Sequence, residues 1–357
     1  MSRIKTPLTE LVGIEHPVVQ TGMGWVAGAR LVSATANAGG LGILASATMT
    51  IDELATAIKK VKAATDKPFG VNIRADGADA GDRVDLMIRE GVKVASFALA
   101  PKAELIAKLK EAGSVVIPSV GAAKHAKKVA SWGADAVIVQ GGEGGGHTGP
   151  VATTLLLPSV LDAVAGTDVQ VIAAGGFFDG RGLAAALSYG ATGVAMGTRF
   201  LLTSDSTVPD AVKQRYLAAD LSGTVVSTRV DGMPHRVLRT ELVEKLESGS
   251  RARGFSAAIR NAAKFKKMSQ MSWPTMVRDG LAMRHGKELT WSQVLMAANT
   301  PMLLKAGLVE GNTQAGVLAS GQVAGILDSL PSCAELITSI VDEAVEHLRT
   351  ASSLIQS

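Results

Sequence analysis

The sequence predicts a (β/α)8 barrel of the α/β class, with a mostly helical lid inserted after its eighth strand. Three observations carry that prediction. Eight short apolar runs alternate with amphipathic stretches through the N-terminal part of the chain, the pattern of strands joined by covering helices. The chain is 47% hydrophobic but only 4% aromatic, so its core is built from Ala, Val, Leu and Ile, as in parallel strands covered on both faces. Beyond Arg199 the alternation stops, and Thr207 to Thr300 is richer in charge, methionine and tryptophan. A length of 357 residues accommodates one large domain with an elaborated insert. The division is a barrel of residues 1–205 and 305–357 and an insert of residues 206–304.

In chain order the predicted strands are His16 to Gln20, Leu41 to Ala45, Phe69 to Ile73, Val94 to Leu99, Val115 to Ser119, Ala136 to Gln140, Val169 to Ala174 and Gly193 to Met196. Between them lie segments such as IDELATAIKKVKAAT and PKAELIAKLKEAG, with apolar positions at helical spacing and a glycine or lysine near the end. A doubly wound sheet would use the same alternation. However, no GxGxxG opens a helix after the first strand, and TGMGWVAG has its glycines at other offsets, which favours the barrel. In the insert, strand signal is confined to TVVSTRV and PHRVLRT, and the tail from Gly311 through a last helix reaching His347 is expected to pack back on the barrel.

In a barrel, chemistry gathers at the carboxyl ends of the strands. There fall Gln20 to Gly24, Asn72, Ser119, Gln140 to His147, Gly175 with Gly176, and Gly197 with Thr198. The most informative stretch is VQGGEGGGHTG, Val139 to Gly149, which sets His147, with Glu143 the one other ionisable side chain, in a loop that is otherwise nearly all backbone. Glycine runs also make plain turns, but this run directly follows a strand and precedes another regular segment, so it reads as a cofactor loop carrying one base. AAGGFFDGRG and MGTRFLLTSDS follow the seventh and eighth strands, where barrels often bind phosphate. A phosphorylated cofactor is therefore expected. A flat redox ring needs a glycine-rich approach surface and amide partners, which Asn72, Gln140 and Gln322 offer, and flavin mononucleotide (FMN) meets both demands. No lysine ends a predicted strand as a Schiff base candidate, and no DxD or HxxxH spacing offers a metal.

The single cysteine, Cys333, excludes an internal disulfide and any cysteine-based zinc or iron–sulfur site; it is expected to be inert. The first residues lack an apolar signal region, and nowhere do about 18 apolar residues run without charge, so the expectation is a cytoplasmic, soluble protein with no membrane partner. The net charge of +4 does not argue for nucleic acid. Its distribution is uneven: Ser248 to Arg278 contains no acidic residue but holds Arg251, Arg253, Arg260, Lys264, Lys266, Lys267 and Arg278. That run is either a solvated helix face or a dock for a polyanion such as the coenzyme A phosphates. Glu143, four residues before His147, reads equally as an exposed loop glutamate or as a partner orienting the imidazole. Arg199 is expected at the barrel rim, and His235, Arg236 and Arg239, after the DGMP turn, are candidates for the active-site mouth.

Together HPVVQTGMGWVA, FGVNI, VQGGEGGGHTG, IAAGGFFDGRG, GVAMGTRF and SGQVAGIL resemble the nitronate monooxygenase family, also called 2-nitropropane dioxygenase-like, with the flavin enoyl-ACP reductases as close cousins. The resemblance covers most of the chain. It implies a TIM barrel with non-covalent FMN, Gly22 and Met23 against the isoalloxazine, Asn72 and Gln140 at its polar edge, and Gly145 and Gly146 beside the ring. It further implies that Gly175, Gly176, Gly197 and Thr198 hold the phosphate, that Gln322 returns to the cofactor, and that His147 is the catalytic histidine. Taken whole, with TPLTELVGIEHPVVQTGMGWVAGARLVSATANAGGLGILASATMT and the basic insert, the chain looks most like the actinobacterial flavin-dependent acyl-CoA dehydrogenases of steroid C/D-ring degradation. That resemblance implies a bicyclic hydrindane acyl-CoA substrate from steroid (cholesterol) catabolism.

Four functions compete. In an acyl-CoA α,β-dehydrogenase, one histidine on a flavin loop serves as α-proton base, and Arg251, Arg253, Lys264, Lys266 and Lys267 hold the nucleotide end of the substrate. A nitronate monooxygenase would use the same His147 on a small nitro compound with dioxygen and would need no basic lid. Enoyl-thioester reduction is the first reaction reversed, and the sequence does not set direction. The fourth is a flavin-binding sensor without turnover. The acyl group, the electron acceptor and the oligomeric state, with a homodimer left open, are not legible.

Overall fold

The computed structural model describes residues 2–99, 101–248 and 300–355. The basic-run residues Arg251, Arg253, Arg260, Lys264, Lys266, Lys267 and Arg278 lie outside the described residues. The strands are β1 (Val18–Gln20), β2 (Leu41–Ala45), β3 (Gly70–Arg74), β4 (Val94–Ala98), β5 (Val115–Val120), β6 (Ala136–Gln140), β7 (Gly146–His147), β8 (Gln170–Ala174), β9 (Gly193–Met196), β10 (Thr224–Ser227) and β11 (His235–Leu238). The helices are α1 (Pro7–Val12), α2 (Ala29–Asn37), α3 (Ile51–Ala64), α4 (Ala80–Arg89), α5 (Ala103–Glu111), α6 (Ala123–Ser131), α7 (Thr153–Val164), α8 (Gly180–Tyr189), α9 (Thr198–Leu201), α10 (Asp210–Leu217), α11 (Glu241–Ser248), α12 (Thr300–Leu308) and α13 (Cys333–Ser353).

Strands β1 to β6, β8 and β9 close into one parallel barrel in sequence order, β9 pairing back on β1. The core divides as a period of two requires. Val19, Leu41, Ile43, Val94, Val115, Ile117, Ala136, Ile138, Ile172, Ala174 and Ala195 form one cluster within the barrel. Their strand neighbours, such as Val18, Val71, Val137, Val139, Val171 and Val194, pack outward into clusters with the helices. Both faces of each strand are thus buried, which is why the strands read as continuous apolar runs.

Helix α1 joins the inner cluster through Leu8 and Val12 and closes the amino end of the barrel. Its start is fixed by a reciprocal Thr6–Thr9 capping box and its end by Gly13 at φ 83°, and Thr6 Oγ1 donates to Thr192 O at 2.7 Å just before β9. With that end plugged, the carboxyl end is left as the mouth. Helix α13 lies against α8, where Gly180 N donates to Glu343 Oε2 at 2.7 Å and a Cβ on Gly180 would come within 2.5 Å of Ala344 N.

The described part of the insert holds α10, α11 and two antiparallel strands. β10 pairs with β11, and β11 pairs with β7 of the His147 loop in the register His235 opposite His147 and Arg236 opposite Gly146. The tail runs beside β11 as well, through Leu238 N to Leu318 O at 2.8 Å and Ser320 N to Arg236 O at 3.2 Å. Val230, Val237, Val243 and Val317 form a satellite core there.

Candidate active site

The barrel interior changes character toward its mouth. Val94, Ile117 and Ile138 are apolar, whereas two residues further along the same strands, on the same face, stand Ser96, Ser119 and Gln140, joined by Asn72 of β3. Asn72 Nδ2 donates to Ser96 Oγ at 3.2 Å. These amides and hydroxyls both donate and accept. They crown an apolar floor, a donor set suited to the heteroatoms of a flat ring such as a flavin.

The loops around this crown rest on one another. A Cβ on Gly22 would collide with Asn72, one on Gly144 with the Gln140 side chain, and one on Gly145 with Gly321 N at 2.5 Å and Ser320 C at 2.6 Å. Gly197 faces Thr21 and Met23, whose sulfur lies 3.5 Å from the position of an added Cβ. Thr198 Oγ1 accepts from Gly321 N at 2.9 Å, and Gln322 N donates to Glu143 O at 3.0 Å. Gly175 and Gly176, directly after β8, sit at φ 89° and 86°, a region closed to most side chains. The structure thus brings Gly22, Met23, Asn72, Gln140, Gly145, Gly146, Gly175, Gly176, Gly197, Thr198 and Gln322 to one end of the barrel. Several of these glycines answer to loop packing rather than to open approach. Gly146 is different: at φ 72° it has nothing among the described residues within 4 Å of where a Cβ would stand.

His147 follows it. Its side chain is 53% exposed, and its Nε2 lies 2.6 Å from Oδ2 of Asp231, whose side chain is 3% exposed. His235 Nδ1 reaches the same oxygen at 3.2 Å, and the two imidazoles are tilted at 49° with centroids 4.7 Å apart. The His147 Nε2, a nitrogen of His235 and the Asp231 carboxylate lie within 4.8 Å of one another, a closeness their shared hydrogen bonds account for. Burial pushes the Asp231 carboxyl upward, but the hydrogen bonds from His147 and His235 outweigh it and hold the group well below the usual carboxylate range. The backbone of His147 is pinned as well: its carbonyl accepts from Gln140 Nε2 at 2.9 Å, and Thr148 N donates to Pro234 O at 3.1 Å.

The carboxylate on His147 is therefore Asp231 and not Glu143. Glu143 Oε2 accepts from Thr153 N at 3.0 Å and Thr153 Oγ1 at 2.7 Å, capping the start of α7. Arg236 does reach the loop: its Nη2 donates to Gly142 O at 2.9 Å and its Nη1 to Thr224 Oγ1 at 3.0 Å. Burial lowers its pKa, and Glu143 acts the other way. Arg199 is buried and donates through Nη2 to Leu202 and Ser329 carbonyls, a rim contact that ties the barrel to the tail. Cys333 is buried, and burial pushes its thiol up to about 12, which makes it a poor nucleophile.

Sequence reasoning passed over Asp231 and Trp25. Asp231 stands in the DGMP turn, where aspartate is unremarked as a turn former. Trp25, after β1, sits at φ 66°, a strained conformation for a bulky side chain that costs about 1–3 kcal/mol. It is held by Nε1 donating to Pro301 O at 3.1 Å and by Lys305 Nζ 5.6 Å from the ring centroid.

A half-exposed histidine anchored on a buried carboxylate, at the rim of a barrel mouth lined with amides, defines an acid–base site beside a surface of hydrogen-bonding groups. More narrowly, the family model described as nitronate monooxygenase matches residues 5–343, and the chain belongs to that family. It is 86% identical over 99% of its length to the whole of a (3aS,4S,5R,7aS)-5-hydroxy-7a-methyl-1-oxo-octahydro-1H-indene-4-carboxyl-CoA dehydrogenase of Mycobacterium tuberculosis. It is 72% identical, over 99% of each chain, to the protein of the same name from Rhodococcus jostii. Among solved structures, FabK from Thermotoga maritima superposes with a TM-score of 0.80 at 35% identity, covering 99% of this chain and 100% of that one. No helix among the described residues is long and apolar enough to cross a membrane.

Proposed function

We propose that the chain is an FMN-dependent acyl-CoA α,β-dehydrogenase acting on a bicyclic hydrindane acyl-CoA of steroid ring C/D breakdown. The observation that carries the chemistry is His147, half-exposed at the mouth and anchored by Nε2 on buried Asp231. The substrate class rests on the two dehydrogenase relatives. Their named compound carries a hydrogen on C4, α to the thioester, and another on the ring-junction carbon C3a, β to it. His147 takes the acidified C4 proton while the C3a hydrogen departs with its electron pair, leaving an enoyl thioester. A bound flavin supplies the two-electron acceptor for that hydride. The proton then passes from the exposed edge of His147 to water.

In this reading Asn72 and Gln140 meet the polar edge of the ring, and Gly22, Met23, Gly145, Gly146 and Gln322 surround it. Gly175, Gly176, Gly197 and Thr198, on the loops after the adjacent strands β8 and β9, hold the single phosphate of FMN, as barrel enzymes do after their last two strands. The insert of residues 206–304 is the substrate-binding segment of this reading, and its basic run, Arg251, Arg253, Lys264, Lys266 and Lys267, is the charge proposed to receive the coenzyme A phosphates.

Anaerobic incubation of the purified yellow protein with a panel of acyl-CoA thioesters tests this. The hydrindane carboxyl-CoA is expected to bleach the flavin and to yield a product two hydrogens lighter with the absorbance of a conjugated enoyl thioester. Acid precipitation is expected to release FMN, identified by mass. Failure of every acyl-CoA to bleach the flavin, with oxygen-dependent turnover of alkyl nitronates, would establish the monooxygenase reading instead.

A further inference from the structure

Resting on that reading, we infer that the base atom of His147 is Nδ1, and that Asp231 is the positioning residue that makes it so, with His235 keeping Asp231 ionised. Donors and acceptors meet there around a single buried carboxylate. Oδ1 of Asp231 accepts from the backbone N–H of Met233 at 3.1 Å. Oδ2 has two imidazole nitrogens, His147 Nε2 at 2.6 Å and His235 Nδ1 at 3.2 Å. A carboxylate only accepts; both nitrogens therefore carry hydrogen, and the proton of neutral His147 resides on Nε2. Its lone pair is then on Nδ1, which has no hydrogen-bond partner among the described residues and belongs to a side chain that is 53% exposed.

His235 is assigned by the same accounting. With Nδ1–H on Asp231, its Nε2 is buried without a partner among the described residues. A proton there would be a buried donor, part of a cation, with no acceptor among the described residues, which disfavours it. His235 is therefore neutral and serves as a fixed donor. The resting arrangement is one carboxylate between two neutral imidazoles, only one of which opens to the mouth. When His147 takes a proton on Nδ1, the positive charge forms against an ionised partner already in place, so no group has to reorient.

The assignment makes an unusual demand on Asp231→Asn. Because Oδ1 is committed to the Met233 N–H, an asparagine keeps its oxygen there and turns its NH2 toward His147 Nε2. That forces Nε2 to accept and moves the proton to Nδ1, the wrong tautomer for a base at that position.

The test uses the flavin-loaded protein with 15N-labelled histidine, the resonance of His147 among the six histidines being assigned with His147→Gln. Without substrate, wild type is expected to show protonated Nε2 and bare Nδ1, and Asp231→Asn the reverse. The limiting rate of flavin reduction by the acyl-CoA is expected to fall by about 10²–10⁴ in Asp231→Asn, with flavin content and acyl-CoA affinity unchanged. Asp231→Glu, which retains a carboxylate, is expected to recover most of that rate. A protonated Nδ1 in wild type, or an Asp231→Asn variant reducing flavin at the wild-type rate, overturns the inference. If Asp231→Asn does not fold, the wild-type tautomer decides alone. If the tautomer is as expected but no acyl-CoA reduces the wild-type flavin, the dehydrogenase reading fails and the nitrogen assignment stands.

Discussion

His147 and Asp231 are opposite in environment, one side chain 53% and the other 3% exposed, so a half-exposed imidazole is held through Nε2 by a buried carboxylate. His147→Ala removes the proposed base but none of the crown, Asn72, Ser96 and Gln140. It is therefore expected to keep its flavin spectrum while losing about 10²–10⁴ in turnover, measured as flavin content against the rate of reduction. Release of the flavin would make His147 a structural residue. The histidine was legible in the sequence because it is the one ionisable side chain besides Glu143 in a glycine loop. Its partner was not, because Asp231 is 84 residues away and stands in a turn that calls for aspartate on local grounds alone. The nearer carboxylate, Glu143, is drawn away by the first turn of α7.

Strands were the most legible elements. The predicted run Leu41 to Ala45 coincides with β2, and Phe69 to Ile73 differs from β3 by a residue at each end. Burial on both faces makes each an unbroken apolar word, and the glycines and caps between them mark the boundaries. The two-residue strand β7 was illegible, since a Gly–His pair has no periodicity; it exists only because β11 arrives beside it. TVVSTRV and PHRVLRT carried a strand signal but nothing to say which strand they would meet. The packing at this junction predicts a contrast between two glycines of the same loop. Gly145→Ala places a Cβ 2.5 Å from Gly321 N, backbone that cannot step aside. It is expected to cost about 1–3 kcal/mol and much of the bound flavin, read by thermal unfolding and absorbance. Gly149→Ala meets nothing within 4 Å and is expected to match wild type in both.

At the scale of the molecule, composition foretold a barrel with something added after it, and the closed eight-stranded order is that barrel. What composition could not foretell is that the added segment is hydrogen-bonded into the loop bearing His147. The substrate reading places the basic run on coenzyme A, and charge reversal tests it. Combined Arg251→Glu, Lys264→Glu and Lys267→Glu is expected to raise the KM for acyl-CoA about tenfold, the equivalent of roughly 1.4 kcal/mol, with flavin binding intact. Wild-type affinity is expected to weaken as added salt shortens the Debye length from about 10 Å toward 3 Å. The pairing of His235 with His147 and of Arg236 with Gly146 also bears on how such enzymes can be recombined. A chimera that exchanges the insert between two relatives, cut at the ends of α9 and α12, would import Asp231 and His235 from one parent and leave His147 with the other. On the proposed reading substrate range and proton chemistry are inherited together, and a functional graft is expected to need the 146–147 ribbon along with residues 224–238, or both from a single parent.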